Sequence, residues 1–218
     1  MLPIVTYRYL QYHLVPSIYM IPKCISCFLI YFNGQKRSKE TKLLQLLARK
    51  SVLISSLVFM LIMFSIVMFF INPQIDGVDG LGVIKLQLAF DKDVGIDIIG
   101  SWGESGIENF KQWIFTDYIY AASYSLFFAS LLSYLILQKG KDKSLKYTWV
   151  VVLSFVAGAL DWLENTTEIF FVNNPLGYSD SLFFLHSIIA SLKWAAVPIA
   201  VVYVVVLLTK KNETYAYA

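Results

Sequence analysis

Charged residues are scarce in this sequence. Asp, Glu, Lys and Arg make up 15% of its 218 residues, whereas 57% of the residues are hydrophobic. Soluble domains average about 25% charged residues, so this chain has too little polar surface to cover a soluble core. The composition therefore predicts an integral membrane protein that is surrounded by membrane lipids.

Cysteines, basic residues and hydrolase motifs are also too few for several common classes of site. Cys24 and Cys27 form a single C-x-x-C, whereas a ribbon-type zinc site needs two such pairs. The net charge is only +3, and no basic stripe is interleaved with aromatic residues, which excludes a typical nucleic-acid-binding surface. Neither G-x-S-x-G nor S-x-x-K occurs. We expect no cofactor, and the sequence leans against an enzyme without excluding one.

Long apolar stretches are what the sequence does contain. A spanning helix needs about 20 apolar residues, and four stretches satisfy this requirement: Ser51 to Ile71, Tyr118 to Gln138, Tyr147 to Val172 and Leu182 to Thr209. They predict an all-α membrane protein with a four-helix transmembrane bundle over residues 51–209 and a tail at 210–218. For the apolar start of the N-terminal extension 1–50, three interpretations stay open: a fifth span, an interfacial helix, or an extension from an upstream start site.

The loops predict how the bundle is oriented. Six Lys or Arg residues lie in 36–50, four in 139–146 and two at 210–211, whereas residues 72–116 carry seven acids and three lysines. Lys and Arg accumulate on the cytoplasmic side of a membrane. We therefore expect a multi-pass protein of the bacterial inner (plasma) membrane, with both ends of the four-helix bundle in the cytoplasm.

The polar segment 72–116 lies between the first and second spans. Asp91 can cap a short helix that runs through Ile99, and Ser105 with Glu108 has the capping-box spacing for a second helix that enters the second span. Before them, apolar residues alternate with polar ones in the manner of a half-buried strand: Ile84, Leu86, Leu88 and Phe90. This predicts a small outer α/β insert that covers the outer face of the bundle as a lid.

The third span carries ionisable side chains on one face. Asp161, Glu164, Asn165 and Glu168 follow helical spacing. Each charge inside a membrane costs about 2.5–3.5 kcal/mol on insertion scales, so such residues need partners or a function. For Glu168, a solvated position at the helix end stays open as an alternative.

Small residues extend the same face of the third span toward the cytoplasmic side. They are Ser154, Ala157 and Gly158. Such residues let the backbones of neighbouring helices approach closely. The third span is therefore predicted to have a tightly packed neighbour along this face.

Partners for the acids of the third span occur in the neighbouring spans. Asp161 and Lys193 each lie 11 residues from the outer ends of their helices, which predicts similar depth and mutual contact. Asp117 and His186 lie nearer the outer surface, and Tyr124 shares the face of Asp117. The pattern predicts a polar shaft that is open outward, with the acid–lysine pair at its floor and with Asp117 and His186 at its mouth.

A metal site is not expected from the sequence. Asp117, Glu164, Glu168 and His186 are ligand types that zinc or manganese accepts. No H-E-x-x-H spacing occurs, however, and Lys193 would repel a cation. The prediction is therefore a cluster without metal.

Two functional interpretations of this cluster stay open. In the first, the shaft binds a small polar ligand or a lipid head group through Asp117, Tyr124, Asp161, Glu164, Asn165, His186 and Lys193. In the second, the chain is a structural or assembly protein whose buried ion pair only locks helix packing. Neither interpretation identifies a reaction or a catalytic residue, and association into a homo-oligomer also stays open.

Several of these motifs together resemble a known group of proteins. The motifs are IIGSWGE at 98–104, Asp117 followed by Tyr124, DWLEN at 161–165, and Lys193. In combination they resemble a family of small, uncharacterised bacterial inner-membrane proteins over residues 50–208, with D-x-x-E-N as the most specific element. The resemblance implies this membrane topology and this site, and it implies no substrate.

Overall fold

The computed structural model describes residues 37–71, 74–75, 81–139 and 141–209, with the backbone alone for 37–41 and 141–146. Within these ranges the secondary structure is helical, without strands. The helices are α1 (Arg37–Leu47), α2 (Lys50–Ser65, continued by a π-helical segment at Ile66–Ile71), α3 (Gly82–Gln87), α4 (Lys92–Ser101), α5 (Gly103–Gln138), α6 (Lys141–Asn173) and α7 (Asp180–Thr209). The helices α2 to α7 and the site described below belong to the compact unit that begins at Leu44. The predicted N-terminal segment 1–33 lies outside the described residues.

Four of these helices are long and apolar enough to cross a membrane. They cover Lys50–Ile71, Gly103–Gln138, Tyr147–Asn173 and Asp180–Thr209, with lengths of 22, 36, 27 and 30 residues. A helix rises about 1.5 Å per residue and the hydrocarbon core is about 30 Å thick, so each helix is long enough to reach across it. The prediction of four long apolar helices that could span a membrane is confirmed.

The helix α6 packs between two other long helices. It packs along α5 on one side and along α7 on the other, while α2 packs on α5. Small residues form the contact between α5 and α6, where Ala121 and Ala157 are buried and a Cβ atom on Gly158 would overlap Ser125 Oγ. The small-residue stripe therefore has the close neighbour that the sequence predicts.

The polar insert is helical, so the prediction of a strand at Ile84 to Phe90 is wrong. Helix α3 covers Gly82–Gln87 and buries Val83, Leu86 and Gln87, which are spaced as one helical face. A strand needs a neighbouring strand for its backbone hydrogen bonds, and the described part of the insert offers none. The insert is therefore all-α rather than α/β.

Two helix starts in the insert were predicted, and one of them is correct. Asp91 caps α4, because its Oδ1 accepts hydrogen bonds from the backbone N–H groups of Asp93 and Val94 at 2.9 and 3.2 Å. Ser105 caps no helix, since α5 has already begun at Gly103. Gly103 has a φ of 64°, the left-handed conformation that often ends a helix, and it lets the chain turn directly from α4 into α5.

The insert packs on one end of the bundle. Val83, Leu86 and Ile99 from α3 and α4 share an apolar cluster with Phe110 of α5 and Phe171 of α6. Gly95 of α4 lies so close to the ring of Phe183 in α7 that a Cβ atom would collide with it. The insert therefore covers the end of the helices at which the ionisable residues lie.

Candidate functional site

The three central helices bring the predicted site residues together in one buried cluster. Their relative exposures lie between 0 and 6%, which leaves none of them open to solvent. The helix α5 supplies Asp117 and Tyr124, the helix α6 supplies Asp161, Glu164 and Asn165, and the helix α7 supplies His186 and Lys193. We call this group, together with Glu168, the polar cluster.

Lys193 is the cation of the polar cluster. Its Nζ lies 3.2 Å from Asp161 Oδ1, so the predicted contact between these two residues is confirmed. The same Nζ lies 2.8 Å from Glu164 Oε2, one helical turn further along α6. Lys193 therefore joins two acids rather than one, and the shorter distance belongs to the acid that was not predicted as its partner.

Hydrogen bonds between α5 and α6 complete one half of the polar cluster. The Tyr124 hydroxyl donates to Asp161 Oδ2 at 2.9 Å, and Asn165 Nδ2 donates to Asp117 Oδ2 at 3.0 Å. Asp161 is thus held by a cation on α7 and by a hydroxyl on α5. These bonds fix the positions of both aspartates relative to three helices.

Glu168 and His186 form the other half of the polar cluster. Both are fully buried, and His186 Nε2 lies 3.4 Å from Glu168 Oε1. Neither ring nitrogen of His186 and neither carboxylate oxygen of Glu168 has a hydrogen-bond partner among the described residues. The rings of Phe171 and Phe183 flank the imidazole, with centroids 5.2 and 5.7 Å away.

The predicted open mouth of the shaft is absent, and this prediction is wrong. Asp117 is 4% exposed, while Glu168 and His186 are fully buried. The helices of the insert and the loop between α6 and α7 cover this end, and Tyr178 of that loop packs on Phe171 at a centroid distance of 4.3 Å. Burial raises the pKa of the Tyr178 hydroxyl above its ordinary value.

Acidic groups outnumber cations in the polar cluster. Four carboxyl groups, from Asp117, Asp161, Glu164 and Glu168, lie in the polar cluster with the single ammonium group of Lys193 in the part of the chain that is described. Removing charges from water is costly unless each one is compensated by a partner. Lys193 contacts two of these groups, those of Asp161 and Glu164, so it is a direct ionic partner for only half of them.

A cavity of about 490 Å³ lies beside the polar cluster. Asp117, Tyr124, Asp161 and Lys193 form a polar patch on its wall, and most of the remaining wall is apolar. The apolar part comes largely from α2 and its π-helical end and from α3, which include Met60, Phe64, Val67, Val83 and Ile84. The cavity therefore joins a polar patch to an apolar slot, and it involves the first span as well as the last three.

The sequence did not predict the part that α2 plays in this cavity. Nearly every residue of Lys50–Ile71 is apolar, so its pattern distinguishes no face for packing. The role of Gln87 was missed for a different reason, since it belongs to the segment that was predicted to be a strand. Its Oε1 accepts a hydrogen bond from Trp194 Nε1 at 3.0 Å, which ties the insert to α7 at the edge of the cavity.

Comparison of the chain with family models, with curated proteins and with solved structures finds no match. The resemblance to a bacterial membrane family thus stays a prediction, and the functional conclusion depends on the geometry of the polar cluster and its cavity.

Proposed function

We propose that this protein binds an amphiphile, such as a membrane lipid, in the cavity between α2, α3, α5 and α7. The observation that carries the proposal is the division of the cavity wall into one polar patch and an extended apolar slot. Ligand pockets are typically lined by apolar side chains with a few polar groups that fix the orientation of the ligand. A head group would lie on the patch of Asp117, Tyr124, Asp161 and Lys193, and an acyl chain would lie along α2.

The charges of the patch indicate the chemistry of the head group. Lys193 is already engaged with Asp161 and Glu164, so little of its charge is available to an anion. The carboxyl group of Asp117 faces the same cavity, and it accepts a hydrogen bond from the amide of Asn165. A head group that carries an ammonium or several hydroxyl groups would complement this patch better than a purely anionic one.

The lateral wall of the cavity provides a route from the bilayer. Leu61 of α2 and Trp194 of α7 line the cavity and are 50 and 42% exposed, although each is a large apolar residue. Large exposed apolar side chains on a spanning helix face lipid rather than water. An amphiphile can therefore enter laterally from the bilayer, without passing the insert and the loop between α6 and α7 that cover the end of the bundle.

Filling the cavity should remove the bound amphiphile. Val197 lines the slot, and Val197→Phe would place a ring in the space of an acyl chain. Native mass spectrometry of protein extracted in a mild detergent should show bound lipid on the unaltered chain and about tenfold less on this variant, for a loss of about 1.4 kcal/mol in affinity.

Val201→Phe is the matched control for this experiment. It makes the same change one turn along α7, at a residue that is 44% exposed and does not line the cavity. The proposal is contradicted if both variants retain equal amounts of lipid. It is also contradicted if the unaltered chain binds none of the lipids of a bacterial membrane extract.

A structural role is the alternative that a specific observation supports. Lys193 connects α7 to two turns of α6, and Tyr124 and Asn165 connect α5 to α6. If locking these helices is the whole purpose of the polar cluster, the cavity is only a packing defect. In that case Val197→Phe should leave function intact and stabilise the protein, because filling a void restores lost packing contacts.

The orientation in the membrane is also a proposal. The excess of Lys and Arg in 36–50 and 139–146 favours a cytoplasmic position for these segments in a bacterial inner membrane. In a background with Cys24 and Cys27 replaced by serine, a cysteine at Ser105 or Ser179 should react with an impermeant maleimide added to intact cells. A cysteine at Ser144 should react only after the cells are opened. The reverse pattern would place the cavity on the cytoplasmic half of the membrane.

A further inference from the structure

We propose that Glu164, Glu168 and His186 bind a divalent transition-metal ion, with Zn²⁺ as the ion that this donor set fits best. One ligand atom from each of the three side chains can be chosen so that all three atoms lie within 4.8 Å of one another. We call these residues the metal triad. The inference is independent of the amphiphile proposal, because none of the three side chains lines the large cavity.

The metal triad presents acceptor atoms without donors. Both oxygens of Glu168, both ring nitrogens of His186 and Oε1 of Glu164 have no hydrogen-bond partner in the described part of the chain. The side chain of Gln87 approaches Glu168 but does not reach ordinary hydrogen-bond geometry with it. Buried polar groups in native proteins are nearly always paired. A bound cation would provide the missing partner for all three side chains at once.

The separation of two triad atoms matches that of metal ligands. His186 Nε2 and Glu168 Oε1 are 3.4 Å apart without a hydrogen bond between them. Two ligands on a tetrahedral zinc ion with bonds of about 2.0 Å lie roughly 3.3 Å from each other. The third atom, a carboxylate oxygen of Glu164, lies within 4.8 Å of a ligand atom on each of the other two side chains.

Lys193 occupies only one of the two carboxylate oxygens of Glu164. Its Nζ lies 2.8 Å from Glu164 Oε2, which leaves Glu164 Oε1 without a partner for a metal ion. A charged group that binds the second oxygen of a ligating carboxylate orients the ligand, as outer partners do in many metal sites. Lys193 is thus a positioning residue for Glu164.

The donor types support the same assignment. Two carboxyl groups and one imidazole lie close together here, and Lys193 contacts one of the two carboxyl groups, that of Glu164. An imidazole with two carboxylates suits zinc, manganese or iron and disfavours magnesium or calcium, which prefer all-oxygen sites.

The metal triad could not be recognised as a sequence motif because its ligands come from two helices. Glu164 and Glu168 are four residues apart and project from the same face of α6, whereas His186 comes from α7. Motifs such as H-E-x-x-H place two histidines on one helix, and this chain does not use that arrangement. The side chains of Phe171 and Phe183 surround the imidazole with apolar surface, a common environment for a buried metal ion.

Zinc binding to the full-length chain in detergent tests the proposal directly. The protein is stripped with a chelator, and Zn²⁺ is titrated against a chromophoric competitor. We expect about one ion per chain. In Glu168→Gln and in His186→Gln, the dissociation constant should increase at least about 100-fold, since even outer partners of a metal change affinity by about 10–100-fold. Glu108→Gln changes an exposed glutamate of α5 and should bind as the unaltered chain does.

X-ray absorption at the zinc edge supplies the second measurement. It uses only the unaltered chain, so it remains decisive even if a triad variant fails to fold. The spectrum should show one imidazole and oxygen ligands at about 2.0–2.2 Å. Three results would overturn the proposal. They are less than about a tenth of a zinc ion per chain, a spectrum without an imidazole ligand, and the same zinc affinity in the unaltered chain and all folded variants. Val197→Phe should keep its zinc, so loss of lipid and loss of metal are separable results.

Discussion

Replacing Lys193 by methionine should lower the free energy of unfolding by about 3–5 kcal/mol, because it leaves buried carboxylates without their cation. Its Nζ lies within 3.2 Å of Asp161 and 2.8 Å of Glu164, and both acids are almost fully buried. Unfolding in mixed micelles with increasing denaturing detergent measures the change. The matched control is Lys111→Met, since Lys111 forms only an exposed pair with Glu108 at 3.9 Å and should lose less than about 1 kcal/mol.

Further substitutions that restore the stability of Lys193→Met test whether Lys193 has one acidic partner or two. From the sequence, Asp161 alone faces Lys193, so Asp161→Leu combined with Lys193→Met should restore stability. The structure predicts only partial recovery, because Glu164 stays buried without its cation. Adding Glu164→Gln should recover most of the remainder. Full recovery in the double variant would show that the contact between Lys193 and Glu164 contributes little.

Replacing Gly158 by leucine should destabilise the bundle by about 3 kcal/mol, at the upper end of typical overpacking effects. Even a Cβ atom at this position would overlap Ser125 Oγ of α5 and would lie 3.1 Å from the backbone oxygen of Ala121. The serine side chain can rotate, but the backbone of α5 can move only if the helices separate. The expected result is a lower melting temperature together with weaker retention of the amphiphile.

Gly100 provides the control for the Gly158 variant. It lies near the end of α4 with no atom within 4 Å of a Cβ atom placed on it, so Gly100→Leu should be neutral or slightly stabilising. Combining Gly158→Ala with Ser125→Gly removes both the Oγ and the Cβ of residue 125. The double variant should therefore recover part of the stability that Gly158→Ala alone loses. Equal melting temperatures for Gly158→Leu and Gly100→Leu would contradict the close packing of α5 and α6.

The spans could be predicted because each depends on one helix at a time, and the central ion pair could be predicted because depth can be counted along each of its two helices separately. Long apolar stretches define the four spanning helices, and helical spacing places Asp161 and Glu164 on one face. Counting residues from the helix ends then places Lys193 at the depth of Asp161, and the contact at 3.2 Å agrees with it.

The features that were missed depend on contacts between elements. Ile84 and Leu86 fit a strand as well as a helix in the sequence, and only the absence of a partner strand in the described insert decides for α3. In the sequence, Glu168 and His186 lie near helix ends where contact with water is expected. In the structure the insert and the loop after α6 bury them. The side of α2 that faces the cavity is likewise set by α3 and α5, because α2 itself is apolar all round.

The buried acids of α6 constrain how the protein is made. A charged residue at the centre of a span costs about 2.5–3.5 kcal/mol on biological insertion scales, and α6 carries Asp161, Glu164 and Glu168. Released alone into lipid during synthesis, this helix would be a poor membrane segment. Its cation arrives only with Lys193, some 30 residues later in the chain, as the contact between the two helices shows. We therefore expect α6 to insert into a membrane efficiently only when α7 follows it, so that the two helices enter the bilayer as a pair.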